Sequence, residues 1–98
     1  MRTEQLKNIF ETYNDDHGKF ERVQNPVHAR PDLCAFLTLD RLCPSPGRDM
    51  VTAAGHDEIF LGIDVDALAR VATEDDVLLL TRCGVRFDRS NDCLALFV

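Results

Sequence analysis

Leu6, Phe10, Tyr13, His17 and Phe20 recur at alternating steps of four and three, with Ile9 beside them. That spacing follows one stripe of a 3.6-residue repeat and predicts an amphipathic helix over residues 3–23, with Thr3 as its N-cap. Gly18 lies inside the stripe and costs a helix about 1 kcal/mol against Ala, so a break or kink is expected near Asp15–Gly18. Asn25-Pro26 closes the segment, because the residue before proline avoids helical geometry. Pro31-Asp32 then opens a second helix, with Asp32 as N-cap, running to about Cys43. Leu33, Cys34, Ala35, Phe36, Leu37, Leu39, Leu42 and Cys43 leave it little polar surface, so a central buried helix is expected. Pro44-Ser45-Pro46-Gly47 stops it in a loop.

The pattern then changes period. Met50–Ala53 and Glu58–Ile63 are short, apolar and joined across Gly55 and His56, which predicts a hairpin. Asp64 precedes a two-turn helix carrying Val65, Leu68 and Val71/Ala72. Thr73-Glu74-Asp75-Asp76 opens another, with Thr73 and Asp76 in a capping-box arrangement and Gly84 as its left-handed end. The spacing leaves open whether residues 64–83 form one bent helix or two. Val85–Asp88 alternates, Ser90-Asn91-Asp92 turns, and 93–98 is apolar throughout, as a strand covered on both faces would be. The order is α-α-β-β-α-α-β-β. An antiparallel sheet of about four strands with helices packed on it follows, an α+β fold in a single domain over 1–98.

Charge sharpens this picture. The chain carries 11 Lys and Arg against 17 Asp and Glu, a formal net of −6. Residues 1–56 and 77–98 are close to neutral, at −1 and +1. The stretch 57–76 holds Asp57, Glu58, Asp64, Asp66, Glu74, Asp75 and Asp76 against Arg70 alone. This balance argues against a phosphate-neutralising nucleic-acid binder. No apolar run reaches the 18 residues of a membrane span. The opening Met1-Arg2-Thr3-Glu4 is charged, unlike a secretory signal. A cytoplasmic location is expected, and the four cysteines (Cys34, Cys43, Cys83 and Cys93) read as reduced thiols behaving as small hydrophobes.

Candidate chemistry is sparse. Steps of nine and ten between cysteines match no zinc pattern. His56-Asp57-Glu58 could do acid–base work, but neighbours on a strand point to opposite faces. Asp64 and Asp66 with Glu74–Asp76 could hold a hard cation, yet helix capping already accounts for most of them. Asn14–Gly18 fails as a calcium loop because Tyr13 and Gln24 fall on ligand positions. His17 reads as a packed boundary residue. Cys83, beside Arg82 at a helix end, is the least implausible nucleophile. No cofactor, metal or catalytic residue is expected.

His56-Asp57-Glu58-Ile59-Phe60-Leu61, Val71–Val77 and Arg82-Cys83-Gly84-Val85-Arg86-Phe87-Asp88 resemble segments of small uncharacterised proteins encoded by bacteriophages and prophages. The resemblance covers residues 50–98 best and carries no catalytic motif. It implies a phage accessory product acting in the cytosol of a bacterial host.

Two function classes then compete. The first is a small non-catalytic binding module that turns Asp57, Glu58, Asp64, Asp66, Glu74, Asp75 and Asp76 toward a protein with a basic surface. The second is a self-associating structural protein, a homo-oligomer built through strand 93–98 if that strand lies at a sheet edge. A small hydrolytic or metal-dependent enzyme comes third, since so short a chain seldom encloses a pocket.

Overall fold

The structure is a computed structural model that describes residues 1–97. Four α-helices and a four-stranded antiparallel sheet alternate as expected: α1 (Thr3–Thr12), α2 (Pro31–Leu42), β1 (Val51–Gly55), β2 (Glu58–Leu61), α3 (Val65–Val71), α4 (Glu74–Arg82), β3 (Val85–Asp88) and β4 (Cys93–Phe97). Residues 64–83 are therefore two helices. The fold is α+β, with strand order β1-β2-β4-β3.

That order places β4 between β2 and β3, hydrogen-bonded on both sides. Its apolar run is explained, because Leu94, Ala95 and Leu96 are all buried. The edge position that would let 93–98 recruit a second copy does not exist for this strand, since both of its ladders are occupied; Val98 lies outside the described residues. The outer strands are β1 and β3. β1 is shifted one residue or two from the expected Met50–Ala53, the turn being His56-Asp57 with His56 at φ 47°. β2 ends at Leu61, two residues short of the expected end at Ile63.

One layer of helices covers one face of the sheet. Leu6 and Phe10 of α1, Leu68 and Ala69 of α3, and Val77 and Leu80 of α4 meet Leu61, Val85, Leu94 and Leu96 in one core. Two capped starts hold α3 and α4 in place. The Asp64 carboxylate accepts from the N–H groups of Asp66 and Ala67, and Thr73 exchanges hydrogen bonds with Asp76. Gly84 takes φ +99° just past α4, as expected.

Four expectations for the first half fail. The helix predicted over 3–23 ends at Thr12, followed by single 3₁₀ turns at Asn14–Asp16 and Phe20–Arg22. Gly18, at φ +74°, turns its N–H onto the Thr81 carbonyl at 3.0 Å and so satisfies an end group of α4. The cap of α1 is Arg2, whose N–H donates to Gln5 Oε1, while Thr3 sits inside the helix. Similarly Arg30 is the N-cap of α2, and Asp32 is its second residue. Nor is α2 buried all round. Cys34, Ala35, Thr38 and Leu39 face the core, whereas Leu33 and Leu37 face outward, 37% and 48% exposed. It is an outer helix with two apolar sides.

Candidate functional site

The seven carboxylates do not form one surface. Glu58 is ion-paired with Arg86, and Asp76 with Arg41 at 3.5 Å. Asp66 accepts from the Thr3 hydroxyl and Glu74 from the Tyr13 hydroxyl, the latter at 2.6 Å. Those two residues stand ten positions apart on and just past α1, their backbones roughly 15 Å apart along the axis at 1.5 Å per residue. That exceeds a physiological screening length of about 8 Å, so the two ends add little to each other's potential. Asp57 is in the hairpin turn, Asp64 caps α3, and Asp75 is exposed on the first turn of α4. Asp57, Asp64, Asp66, Glu74 and Asp75 are the five without an ion-pair partner among the described residues. None of the acids is hydrogen-bonded to His56 among those residues either, so the triplet 56–58 does not assemble as a catalytic group.

Another charge network centres on Asp16. Asp16 holds Arg82 at 2.8 Å and Arg22 at 3.0 Å, and the Arg82 hydrogen bond keeps its carboxyl below the usual range. Asp88 accepts from Asn91 Nδ2 at 2.7 Å and the Ser90 N–H at 3.0 Å, which likewise lower it. His17 Nε2 donates to the Gly84 carbonyl at 3.0 Å, and its ring stands edge-on to Phe97. The Asp16 and His17 contacts tie the 14–22 segment to the end of α4, and those of Asp88 close the β3–β4 turn. Sequence reasoning placed His17 as a packed residue, and that is its role.

Three of the cysteine thiols, Cys43, Cys83 and Cys93, are shifted away from reactivity. Burial pushes Cys83 up to about 12, with Cys34 adding to the shift, and burial also raises Cys43 and Cys93. A nucleophilic thiol needs the opposite shift.

The surface that sequence reasoning missed is on α2 and β1. Leu33 and Leu37 are one turn apart on the exposed side of α2. Beside them, Phe36 of α2 with Met50 and Val51 lines an apolar hollow of about 440 Å³. A second hollow of about 480 Å³, between the end of α2 and the start of β1, is lined by Asp40, Ser45, Arg48, Asp49 and Thr52. Every residue of β1 is exposed, and its outer edge is unpaired among the described residues. The signal was present in the chain: leucines at 33 and 37 in addition to a complete buried face at 34, 35, 38 and 39.

Compared with protein-family models, curated proteins and solved structures, the chain matches none of them.

Proposed function

We propose that this chain is a small non-catalytic protein-binding module that presents the α2–β1 side to its partner. The observation that carries the reading is the pair Leu33 and Leu37, exposed at helical spacing on the helix whose Phe36 shares a hollow with Val51, at the start of the edge strand β1. Contiguous apolar surface on a small soluble domain marks an interaction site, and a free strand edge adds a row of backbone donors and acceptors. In a phage accessory product, that partner would be a host protein or a phage protein, a second copy of this chain included.

Site-specific photo-crosslinking tests this. A photoreactive phenylalanine at Leu37 is expected to trap a protein in cells, whereas the same group at the exposed Val71 of α3 is not. No adduct from Leu37, or equal adducts from both positions, contradicts the reading.

A further inference from the structure

We infer that the partner of the α2 face is a second copy of this chain, docked antiparallel across a two-fold axis. This rests on the preceding reading of that face as a binding surface. The outward stripe of α2 consists of Arg30, Leu33, Leu37 and Asp40, at steps of three, four and three. Leu33, Leu37 and Asp40 hold seam positions within the helix, Arg30 is the N-cap just ahead of them, and all four side chains are exposed. The opposite side of the helix, Cys34, Ala35, Thr38 and Leu39, is spent on the core.

Read along the helix, the stripe runs positive, apolar, apolar, negative. Such a pattern is its own complement when reversed. With the two-fold level with Ala35, Leu33 meets Leu37 of the second copy, and Arg30 meets Asp40 of the second copy. Each contact occurs twice, as an isologous interface requires. A parallel arrangement instead sets Arg30 on Arg30 and Asp40 on Asp40, which is repulsive at both ends. Neither Arg30 nor Asp40 has an ion-pair partner among the described residues of its own chain, which leaves both charges free for the second copy. The stripe is also neutral in sum, so pairing it does not set the acidic 57–76 stretches against each other at the contact.

The neighbouring layer favours the same occupant. β1 starts beside α2, sharing the hollow of Phe36, Met50 and Val51, and Val51–Gly55 carries no charge and no proline to guard its edge. Sheet layer and helix layer thus both stop unpartnered on one side of the molecule. An extended peptide would complete only the sheet. A second copy brings a helix with matching charges as well.

Charge reversal separates self-pairing from every other occupant. Sedimentation equilibrium across a hundredfold concentration range is expected to take the wild-type chain from its 11.1 kDa monomer to a dimer. Arg30→Asp and Asp40→Arg, each alone, set like charges together twice, and each is expected to weaken the dimer about tenfold or more. Arg30→Asp supplies a favourable N-cap, so it leaves the helix sound. The double variant, and an equimolar mixture of the two single variants, restore opposite charges at both contacts and are expected to recover dimerisation. A wild-type chain that stays monomeric overturns the inference, as do single variants that dimerise normally or a double variant and mixture no tighter than the singles. A monomer that still crosslinks through Leu37 to a different protein overturns self-pairing and retains the binding reading. A monomer that crosslinks to nothing overturns both.

Discussion

Arg86 and Glu58 form an ion pair that bridges a whole strand. Arg86 is on β3 and Glu58 on β2, and β4 runs between them. The bridge is possible because the β4 residue opposite Arg86 is Ala95, whose methyl leaves room for the guanidinium to lie across the strand. The guanidinium rests 5.0 Å from the Phe97 ring centre, and Phe97 is itself paired with Glu58 in the ladder. Ala95 is wholly buried although it is on the face of the sheet away from the core helices. The acid that sequence reasoning offered to a partner therefore serves as a clamp across the sheet.

Loss of one half of this clamp leaves a half-buried charge without its partner. Glu58→Gln and Arg86→Met are each expected to destabilise the fold by about 1–2 kcal/mol, between the values for exposed and fully buried pairs. The double variant is expected to lose less than the sum, giving a coupling of roughly 1 kcal/mol in a urea-unfolding cycle. Strict additivity would show that the pair contributes nothing.

The remaining acids divide by role. Asp64→Ala and Thr73→Ala remove helix caps and are expected to cost about 1 kcal/mol each. Asp57→Asn and Asp75→Asn touch no such feature and are expected to stay within about 0.5 kcal/mol of wild type. Thermal melts of the four variants check the division. Equal effects across the set would contradict it.

Those caps were legible in the sequence, along with both hairpins, the apolar run of 93–98 as a strand covered on both faces, and the glycine that ends α4, whereas the strand's place inside the sheet was not. Each depends on chemistry within a few residues: a carboxylate or hydroxyl near free N–H groups, a period of two, a positive φ. What was not legible depends on distant partners. Tyr13, His17 and Phe20 keep helical spacing, but Tyr13 is held by Glu74 and His17 by Gly84, and Gly18 caps the end of α4. Those long-range bonds outweigh local helix propensity. Clustering in sequence also misled for the acids, because α1 separates the hydroxyls that hold Asp66 and Glu74. For α2, composition alone does not distinguish a helix buried on all sides from one that keeps a second apolar face for a partner.

Cysteine reactivity follows from burial. Cys34 and Cys83 are enclosed in the core, and the Cys83 thiol, pushed up to about 12, stays protonated at neutral pH. In native protein at pH 8, a disulfide reagent is expected to modify Cys43 and Cys93 slowly and to leave Cys34 and Cys83 untouched until urea is added. Peptide mapping reads the outcome. Fast labelling of Cys83 in the folded state would contradict its burial.

Acid is expected to loosen the end of α4, which Asp16 holds, and the β3–β4 turn, which Asp88 holds. Asp16 is lowered by the Arg82 hydrogen bond and Asp88 by Asn91, the Ser90 N–H and the Arg86 charge, both from an ordinary value of 3.8. Native carboxyls that hold protons less tightly than unfolded ones stabilise the fold fully above that value. The contribution disappears as pH falls through their lowered native values. Wild-type stability is therefore expected to drop below about pH 4, and Asp16→Asn to flatten that drop while lowering stability at neutral pH. A variant with an unchanged acid profile would remove Asp16 from the account.

The central claim is that Leu33 and Leu37 serve binding and contribute little to the fold. The most direct measurement compares the Leu33→Gln/Leu37→Gln variant with Leu39→Ala, reading urea unfolding in dilute solution together with crosslinking from a photoreactive group at Phe36. The surface pair is expected to hold stability within about 1 kcal/mol and to abolish the adduct, whereas Leu39→Ala, in the core, loses about 2–5 kcal/mol. A surface pair that destabilises as much as the core substitution, with the adduct intact, would contradict the claim.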